Sequence, residues 1–240
     1  MRPLKRWLIG LAVAVAAVGL SPGTAEAQAQ ARAQQAQIPA PCPSLEGCYD
    51  YTTMQQFYDQ IIDLVDQFST ASYVAMPRPT YYYIEFGATP QTGCGIATSI
   101  DFHFCRADDS IYVGQDRLWA FYIINGDAAA AFGIAHEWGH HVQHVAGVFD
   151  LVDTSEEQIQ AENQADCIGG AFLRHLDDQG MLEPDDYSDM DSMLTLIAEA
   201  EGPERTHGTI EQRVDATVYG LNHGLASCSE FFPDAPLVIP

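Results

Sequence analysis

The first strong apolar pattern of the chain lies in residues 52–69. Apolar side chains recur there at steps of three and four: Met54, Phe57, Ile61, Leu64, Val65 and Phe68. This spacing lays one apolar stripe along a helix, which Thr52 or Thr53 is placed to cap. Residues 52–69 are therefore predicted to form an amphipathic helix.

Segments rich in aromatic and β-branched residues follow. They predict strands at residues 81–86, 100–104 and 110–113. Because the segments are short and close together, we expect a small, mostly antiparallel sheet.

The remainder of the chain reads as helical. One helix is predicted over residues 127–146, where Asp127 can cap the start and Gly147 the end. A second helix is predicted over residues 154–178, with Thr154 and Glu157 at the spacing of a capping box. Further helices are predicted over residues 186–200 and 209–222. The fold class is therefore α+β, mainly helical.

The beginning of the chain has the features of a signal peptide. Basic residues precede an apolar run at 7–20, and Ala25-Glu26-Ala27 forms a small-x-small cleavage site. We expect residues 1–27 to be removed on export to the periplasm or the medium; an uncleaved N-terminal anchor is the alternative. No later stretch is long enough to span a membrane, so no stable membrane insertion is expected after cleavage.

Residues 28–41 form a low-complexity linker of Ala and Gln with no apolar face. Residues 42–240 are expected to form one domain. The formal net charge of the chain is −23, and its single lysine, Lys5, lies in the predicted signal peptide. Such a surface repels nucleic acid and anionic lipid, so neither is an expected partner.

The chain has six cysteines, an even number that suits an oxidising compartment. Six cysteines allow fifteen connectivities. Spacing favours two local bridges, Cys42–Cys48 and Cys94–Cys105, which leaves Cys167–Cys228 to attach the C-terminal segment. The alternative for Cys167 is a buried thiol.

The strongest chemical motif is His136-Glu137-Trp138-Gly139-His140. Residues four apart in a helix share one face and lie about 6 Å apart along the axis. Two imidazoles placed in this way can bind one zinc ion. Glu137 lies about 100° around the helix, where its carboxylate can act as a general base without binding the metal.

A third ligand is expected from the next helix. The metzincin pattern is excluded because Ala146 and Gln143 stand where it requires histidine and glycine. Glu162 can complete the site, and Asp166, one turn later, can accept a hydrogen bond from the far nitrogen of a ligand histidine. The alternative is two solvated acids on a helix face.

Glycines lie beside both groups of ligands: Gly139 between the histidines, and Gly169 and Gly170 after Asp166. Glycine destabilises a helix interior by about 1 kcal/mol relative to alanine. Glycine is tolerated where two helices approach closely. Two helices that bind the same ion must approach each other in this way. The alternative is local weakness of the helices.

Several segments together resemble one bacterial family. They are residues 136–143 (HEWGHHVQ), 165–167 (ADC), 207–214 (HGTIEQRV) and the cysteine-bounded stretch 94–105. Over residues 80–230 the chain resembles the bacterial putative neutral zinc metallopeptidase family. This chain is shorter, and it has Trp138 in the motif and an additional His144.

The resemblance implies a zincin-like fold and a gluzincin-like site. It places zinc on His136, His140 and Glu162, with Glu137 as the base and Asp166 behind the ligands. It also implies that the substrate is a peptide or protein.

His207 and Arg213 form a second constellation. A histidine and an arginine six residues apart at the start of a helix resemble a pair in CAAX-processing endopeptidases. In that family the histidine stabilises the oxyanion of the tetrahedral intermediate. Hydrolysis needs such a donor where negative charge develops. We expect His207 to be that donor and Arg213 to orient it or bind substrate; the alternative is an ion pair of Arg213 with Glu211 or Asp166.

For the remaining histidines and tyrosines the sequence makes less specific predictions. His141 is expected to be packed or hydrogen-bonded, and His144 to lie against the helix C-terminal dipole or to act as a rival ligand. Residues 81–83 (YYY) are expected to pack in the sheet; the alternative is a cleft edge strand that pairs with a peptide.

The sequence thus predicts an exported zinc-dependent hydrolase of peptide bonds. Two alternatives stay open: a zinc hydrolase of other amides or esters, and a catalytically silent, zinc-stabilised binding protein. Retention of Glu137 disfavours the second, because a structural zinc site has no use for a base. The sequence leaves the oligomeric state unsettled.

Overall fold

The computed structural model describes Leu45 and residues 47–73, 75–198 and 205–237. The predicted signal peptide and linker lie outside the described residues, as does the predicted Cys42–Cys48 bridge, because Cys42 is not among them. Within them the predicted α+β class, mainly helical, is confirmed. No helix in this part of the chain has the length and apolarity needed to cross a lipid bilayer.

Six α-helices are described. They are α1 (Met54–Ser72), α2 (Gln115–Asn125), α3 (Asp127–Ala146), α4 (Ser155–Asp178), α5 (Asp186–Ile197) and α6 (Ile210–His223). Short 3-10 segments occupy Tyr51–Thr53, Val148–Asp150 and Leu225–Phe231.

The strands form two small sheets. They are β1 (Thr80–Ile84), β2 (Gln91–Thr92), β3 (Gly95–Ile96), β4 (Phe102–Cys105) and β5 (Ser110–Gly114). The larger sheet has the order β1-β5-β4, and β2 pairs antiparallel with β3. β4 is antiparallel to β5, whereas β1 is parallel to it, so the main sheet is mixed. Spacing alone did not predict the parallel pair.

One predicted cap has the right position and the other is wrong. Thr53 is the N-cap residue of α1, although its side chain makes no cap hydrogen bond. The carboxylate of Asp50 accepts the backbone N–H groups of Thr52 and Thr53 in the 3-10 turn that precedes α1. Asp127 lies inside α3, whose N-cap is Gly126 with no side-chain cap. A carboxylate is favourable in a first turn as well as at a cap, so composition did not separate these positions.

The predicted ends of α3 and α4 are close to the observed ones. Thr154 and Glu157 form the expected capping box at the start of α4. Gly147 ends α3 with a φ of +76°, a left-handed conformation that glycine adopts without steric penalty. These local signals therefore locate the end of α3 and the start of α4.

Helix α3 runs through the centre of the core. Its first two turns are buried almost completely, because the four alanines after Asp127 let neighbouring elements approach. Further along, Trp138 is 1% exposed and packs edge-to-face on Phe68 of α1 at 5.6 Å between ring centroids. The helix that carries the HExxH motif is therefore fixed by burial along most of its length.

Helix α4 packs closely against α3 and α6. A Cβ on Gly139 would lie 3.2 Å from the Cα of Ala165, so α3 and α4 approach closely at the motif, as predicted. A Cβ on Gly170 would lie 2.0 Å from the carbonyl oxygen of Thr217 in α6. The Cys167–Cys228 disulfide attaches the 3-10 segment Leu225–Phe231, which follows α6, to α4.

The second disulfide joins Cys94 to Cys105 at the end of β4. Cys105 is fully buried. The bridge therefore anchors β4, the strand that contacts α3.

Candidate metal centre

Two helices bring three potential metal ligands together. His136 and His140 project from one face of α3, and Glu162 projects from α4. One ligand atom from each side chain lies within 4.8 Å of the others. His136 Nε2 is 3.4 Å from Glu162 Oε2, and His140 Nε2 is 3.6 Å from Glu162 Oε1. These three residues could hold a metal ion.

The spacing and chemistry of these atoms suit a tetrahedral metal ion. Ligand atoms about 2.05 Å from a tetrahedral ion stand about 3.3 Å apart, close to the two distances above. Glu162 Oε2 is buried and makes no well-aligned hydrogen bond within the described residues. A buried, unsatisfied carboxylate oxygen is costly, and a cation would satisfy it.

Asp166 supports the first histidine from behind. His136 Nδ1 lies 2.9 Å from Asp166 Oδ1, which leaves Nε2 directed at Glu162. A carboxylate in this position fixes the tautomer and makes the ligand nitrogen more basic. Asp166 is fully buried.

Arg213 of α6 binds this same carboxylate. Its Nη2 donates to Asp166 Oδ1 at 2.8 Å, and Arg213 is only 2% exposed. Burial raises the pKa of Asp166, but Arg213 and His136 outweigh burial and hold it below its usual value. The ion pair of Arg213 with Asp166, which the sequence left open as the alternative, is therefore observed. The expectation that Arg213 orients His207 or binds substrate stays a prediction.

The electrostatics of the cluster favour a bound cation. Burial lowers the pKa of His136, but Asp166 and Glu162 reverse this effect and raise it to about 10. Burial likewise raises the pKa of Glu162, whereas His140 and His136 bring it well below the usual range. Two buried carboxylates thus attract positive charge to the point where the imidazoles converge.

His140 is positioned by a residue that sequence reasoning assigned no role. Its Nδ1 lies 2.8 Å from Gln143 Oε1. The amide of Gln143 is fully buried and donates to the Ala161 carbonyl on α4 at 2.6 Å. A glutamine one turn after the second histidine was the available signal, since that position faces the same partner helix.

Glu137 lies beside the cluster without joining it. Its Oε2 accepts a hydrogen bond from the backbone N–H of Phe104, at 2.7 Å. Phe104 belongs to β4, an outer strand of the sheet. This contact was not predicted, because it depends on how the sheet meets α3.

A cavity of about 440 Å³ opens next to these groups. His136 and Glu137 of α3 form part of its wall. Other parts of the wall come from α2, β4, α5, α6 and the segment before α6, including Phe121, Phe102, His103, Met193, Ile197, His207 and Arg213. The cavity is large enough to hold several residues of an extended peptide or a small molecule.

His207 lies on the side of this cavity that is next to the candidate ligands. Its Nε2 is 3.6 Å from Glu162 Oε2, and its side chain is 43% exposed. Thr206 Oγ1 lies 3.1 Å from its Nδ1. The ring therefore reaches both the ligand cluster and the solvent-accessible cavity.

The remaining aromatic residues take the less specific roles. His141 is fully buried between Asp109, at 2.6 Å, and the carbonyl of Pro77, at 2.8 Å. The ring of His144 packs on Phe104 rather than contributing to the described ligand group. Strand β1, with residues 81–83, is separated from β4 by β5, so it is not the strand beside the cavity.

Comparison with known proteins agrees with this geometry. The family model described as "Putative neutral zinc metallopeptidase" matches residues 5–231. "Uncharacterized protein YpfJ" of Escherichia coli (strain K12) is 32% identical over 174 residues, covering 59% of this chain and 58% of that protein. "Uncharacterized protein Rv2575" of Mycobacterium tuberculosis (strain H37Rv) is 27% identical over 183 residues, covering 63% and 62%.

The chain spans 58% to 62% of the length of these curated relatives. No solved structure matches it. The family model nevertheless covers nearly the whole chain, including the two helices that supply the ligand cluster. The chain therefore belongs to the Putative neutral zinc metallopeptidase family.

Proposed function

We propose that this protein is an exported zinc-dependent peptidase, with zinc held by His136, His140 and Glu162. The observation that carries the proposal is the convergence of two imidazoles and one carboxylate within 4.8 Å, beside an open cavity that His136 lines. Three protein ligands leave a coordination position free, which is typical of catalytic rather than structural zinc. The neutral ligand nitrogens and single carboxylate suit zinc better than calcium or magnesium.

When bound, zinc supplies Lewis acidity, which makes water more acidic and a carbonyl more electrophilic. Glu137 then acts as the general base. Phe104 N–H binds its Oε2, so Oε1 is available to take a proton from the attacking water. The same oxygen afterwards returns the proton to the leaving amine.

His207 is proposed to stabilise the negative charge that develops on the substrate oxygen. It stands beside the ligand cluster and is partly exposed to the cavity, so its Nε2 can donate to a substrate oxygen. One such donor contributes about 3 to 4 kcal/mol to transition-state stabilisation. Asp166 and Arg213 act from behind the ligands, because both are buried.

Export is part of the proposal and rests on different evidence. The N-terminal pattern of residues 1–27 is that of a signal peptide. The Cys94–Cys105 and Cys167–Cys228 disulfides are typical of an oxidising compartment. Detection of the processed chain in the periplasm or medium would support export; a cytoplasmic chain of full length would contradict it.

The activity is tested with purified, zinc-loaded protein on casein and on a library of quenched fluorescent peptides. We expect cleavage that 1,10-phenanthroline abolishes and added zinc restores. Glu137→Gln should lose at least about a thousandfold in kcat while keeping one zinc per chain. Glu156→Gln removes an exposed acid of α4 and is the matched control.

Each other outcome has a distinct meaning. Full activity of Glu137→Gln would refute the general base. Turnover of amides or esters with no cleavage of peptides would assign a different hydrolase. Stoichiometric zinc with no turnover of any substrate would favour the silent binding protein.

A further inference from the structure

A second cluster of acidic residues lies at the other end of α3, away from the proposed zinc. Asp127 begins α3, Asp186 begins α5, and Glu183 lies in the turn before α5. One carboxylate oxygen from each lies within 4.8 Å of the others. A cavity of about 150 Å³, lined in part by Asp127 and Asp186, adjoins them.

Asp127 and Asp186 are not the only acids in the described lining of this cavity. Asp185 and Asp189 also line it. The carboxylate of Asp189 lies so close to Gly126 that a Cβ there would be 1.7 Å from Asp189 Oδ2. Within the described part of the chain, the lining of this cavity includes no Lys, Arg or His. The described residues therefore place no basic side chain in this lining to balance these charges.

Two of the oxygens lack hydrogen-bond partners among the described residues. Asp127 is only 5% exposed, and its Oδ2 is buried without a partner. Glu183 Oε2 is also buried without a partner. The Asp127 carboxylate has hydrogen bonds from the backbone N–H groups of Asp127 and Ala128. The backbone N–H of Glu183 donates to Asp186 Oδ2 at 2.7 Å.

Such a cluster is costly unless something else neutralises it. Burial raises the pKa of Asp127 to about 6, and that of Asp186 to about 7, as expected for carboxylates without a counter-ion. The N-terminal dipole of α3 is worth about half a charge and favours one carboxylate at most. It cannot balance three.

We propose that Asp127, Glu183 and Asp186 bind a Ca²⁺ ion. All the converging ligands are oxygens, which a hard cation prefers over the nitrogen ligands of the zinc cluster. Ca²⁺ accepts six to eight oxygens in flexible geometry, so water in the adjoining cavity completes its coordination. Mg²⁺ demands a near-ideal octahedron at shorter distances, which an irregular set of carboxylates from two elements suits less well.

The ion links the start of α3 to the start of α5. Both helices border the active-site cavity: α3 through His136 and Glu137, and α5 through Met193 and Ile197. Ca²⁺ thereby fixes the position of the α5 wall relative to the helix that carries the zinc ligands. This site is independent of the proposed peptidase activity, so its test needs no substrate.

The test uses protein stripped on a chelating resin and reloaded with one equivalent of zinc at pH 7.5. Its Tm is followed during titration with CaCl2 or MgCl2 alone, and calorimetry gives the Ca²⁺ affinity. At a Ca²⁺ concentration a hundred times Kd, we expect the Tm to rise by about 5 to 10 °C. Asp127→Asn should weaken Ca²⁺ binding at least about tenfold and remove this rise.

The control, Asp63→Asn, removes an exposed acid of α1 and should respond like the unmodified protein. Glu183→Gln gives the same readout if Asp127→Asn does not fold. No rise in Tm with Ca²⁺, or an equal rise in Asp127→Asn, would overturn the proposal. So would an equal or larger response to Mg²⁺. A more stable Asp127→Asn protein, with no Ca²⁺ response in the unmodified chain, would show that shared protons neutralise the cluster instead.

Discussion

The backbone N–H of Phe104 donates a hydrogen bond to Oε2 of Glu137, with 2.7 Å between nitrogen and oxygen. This contact joins β4 to α3, the helix that carries the HExxH motif. The next residue, Cys105, is buried and bonded to Cys94. The proposed base is therefore held from two sides, by its own helix and by an anchored strand.

Shortening this side chain should separate its position from its charge. Glu137→Asp keeps the carboxylate but withdraws it by about 1.5 Å, beyond reach of the Phe104 N–H. We expect kcat to fall by at least about a hundredfold with zinc still bound, because misplacement by 1 Å has effects of this size. Peptide cleavage and zinc stoichiometry are measured together. Wild-type kcat in this variant would contradict a positioned base.

The contact of Asp166 with His136 should govern metal affinity. Asp166→Asn keeps the shape of the side chain but removes its charge, so the ligand imidazole becomes less basic. We expect zinc affinity to fall about 10- to 100-fold, as measured by competition with a chromogenic chelator. An unchanged affinity would mean that Asp166 only pairs with Arg213.

The other partner of Asp166 should govern stability. Arg213→Met leaves a fully buried carboxylate without its guanidinium. We expect the free energy of unfolding of the metal-free protein to fall by about 3 to 5 kcal/mol, measured by urea denaturation. Arg174→Met removes an exposed arginine of α4 and should cost far less. Equal losses in the two variants would refute the buried ion pair.

Zinc binding should expel a proton from His136. Its pKa is raised to about 10 in the metal-free protein, so it is protonated at pH 7, whereas zinc binds the neutral ring. We expect about one proton released per zinc, and an apparent affinity that rises up to tenfold per pH unit between pH 6.5 and 8. Calorimetry in buffers of different ionisation enthalpy measures this number. Release of no proton would contradict the account.

The same raised pKa makes the stability of the metal-free protein fall as the pH rises, whereas the apparent zinc affinity increases. Charged His136 stabilises the metal-free fold fully below the unfolded pKa, near 6.5, and this contribution disappears as the pH rises through about 10. Alkali should therefore destabilise the metal-free protein more than the zinc-loaded one. Parallel Tm profiles from pH 7 to 10 would be the contrary result.

Glycine at the α4–α6 contact should be indispensable for packing. A Cβ on Gly220 would lie 1.9 Å from the carbonyl oxygen of Cys167, which is backbone and cannot rotate away. We expect Gly220→Ala to lower the free energy of unfolding by about 1 to 3 kcal/mol or more, measured by urea denaturation. Gly139→Ala, whose nearest contact is 3.2 Å, should cost less. The reverse order would contradict the described helix spacing.

Much of the fold was predictable because it rests on local signals. The helix of the HExxH motif ends at Gly147, and Thr154 and Glu157 begin the next helix as their spacing requires. These signals locate the two helices that carry the three candidate ligands. The pairing of Glu162 with His136 then follows from one-turn spacing and from the need for a third ligand.

Other features depend on packing that no local pattern encodes. Helix α2 was not predicted, because its own apolar residues are spread around most of its circumference and form no single apolar stripe. Two of them, Ile123 and Ile124, are exposed to solvent. The Phe104–Glu137 contact and the parallel pairing of β1 depend on how distant segments meet. Asp127 was read as a cap, although its carboxylate converges with Glu183 and Asp186.

The central claim concerns where the metal lies, and anomalous diffraction from crystals of the zinc-loaded protein tests it most directly. Data collected on both sides of the zinc absorption edge should show one strong peak about 2.0 to 2.2 Å from His136 Nε2, His140 Nε2 and a carboxylate oxygen of Glu162. A peak away from these atoms, or one whose coordination includes a fourth protein side chain, would contradict the account.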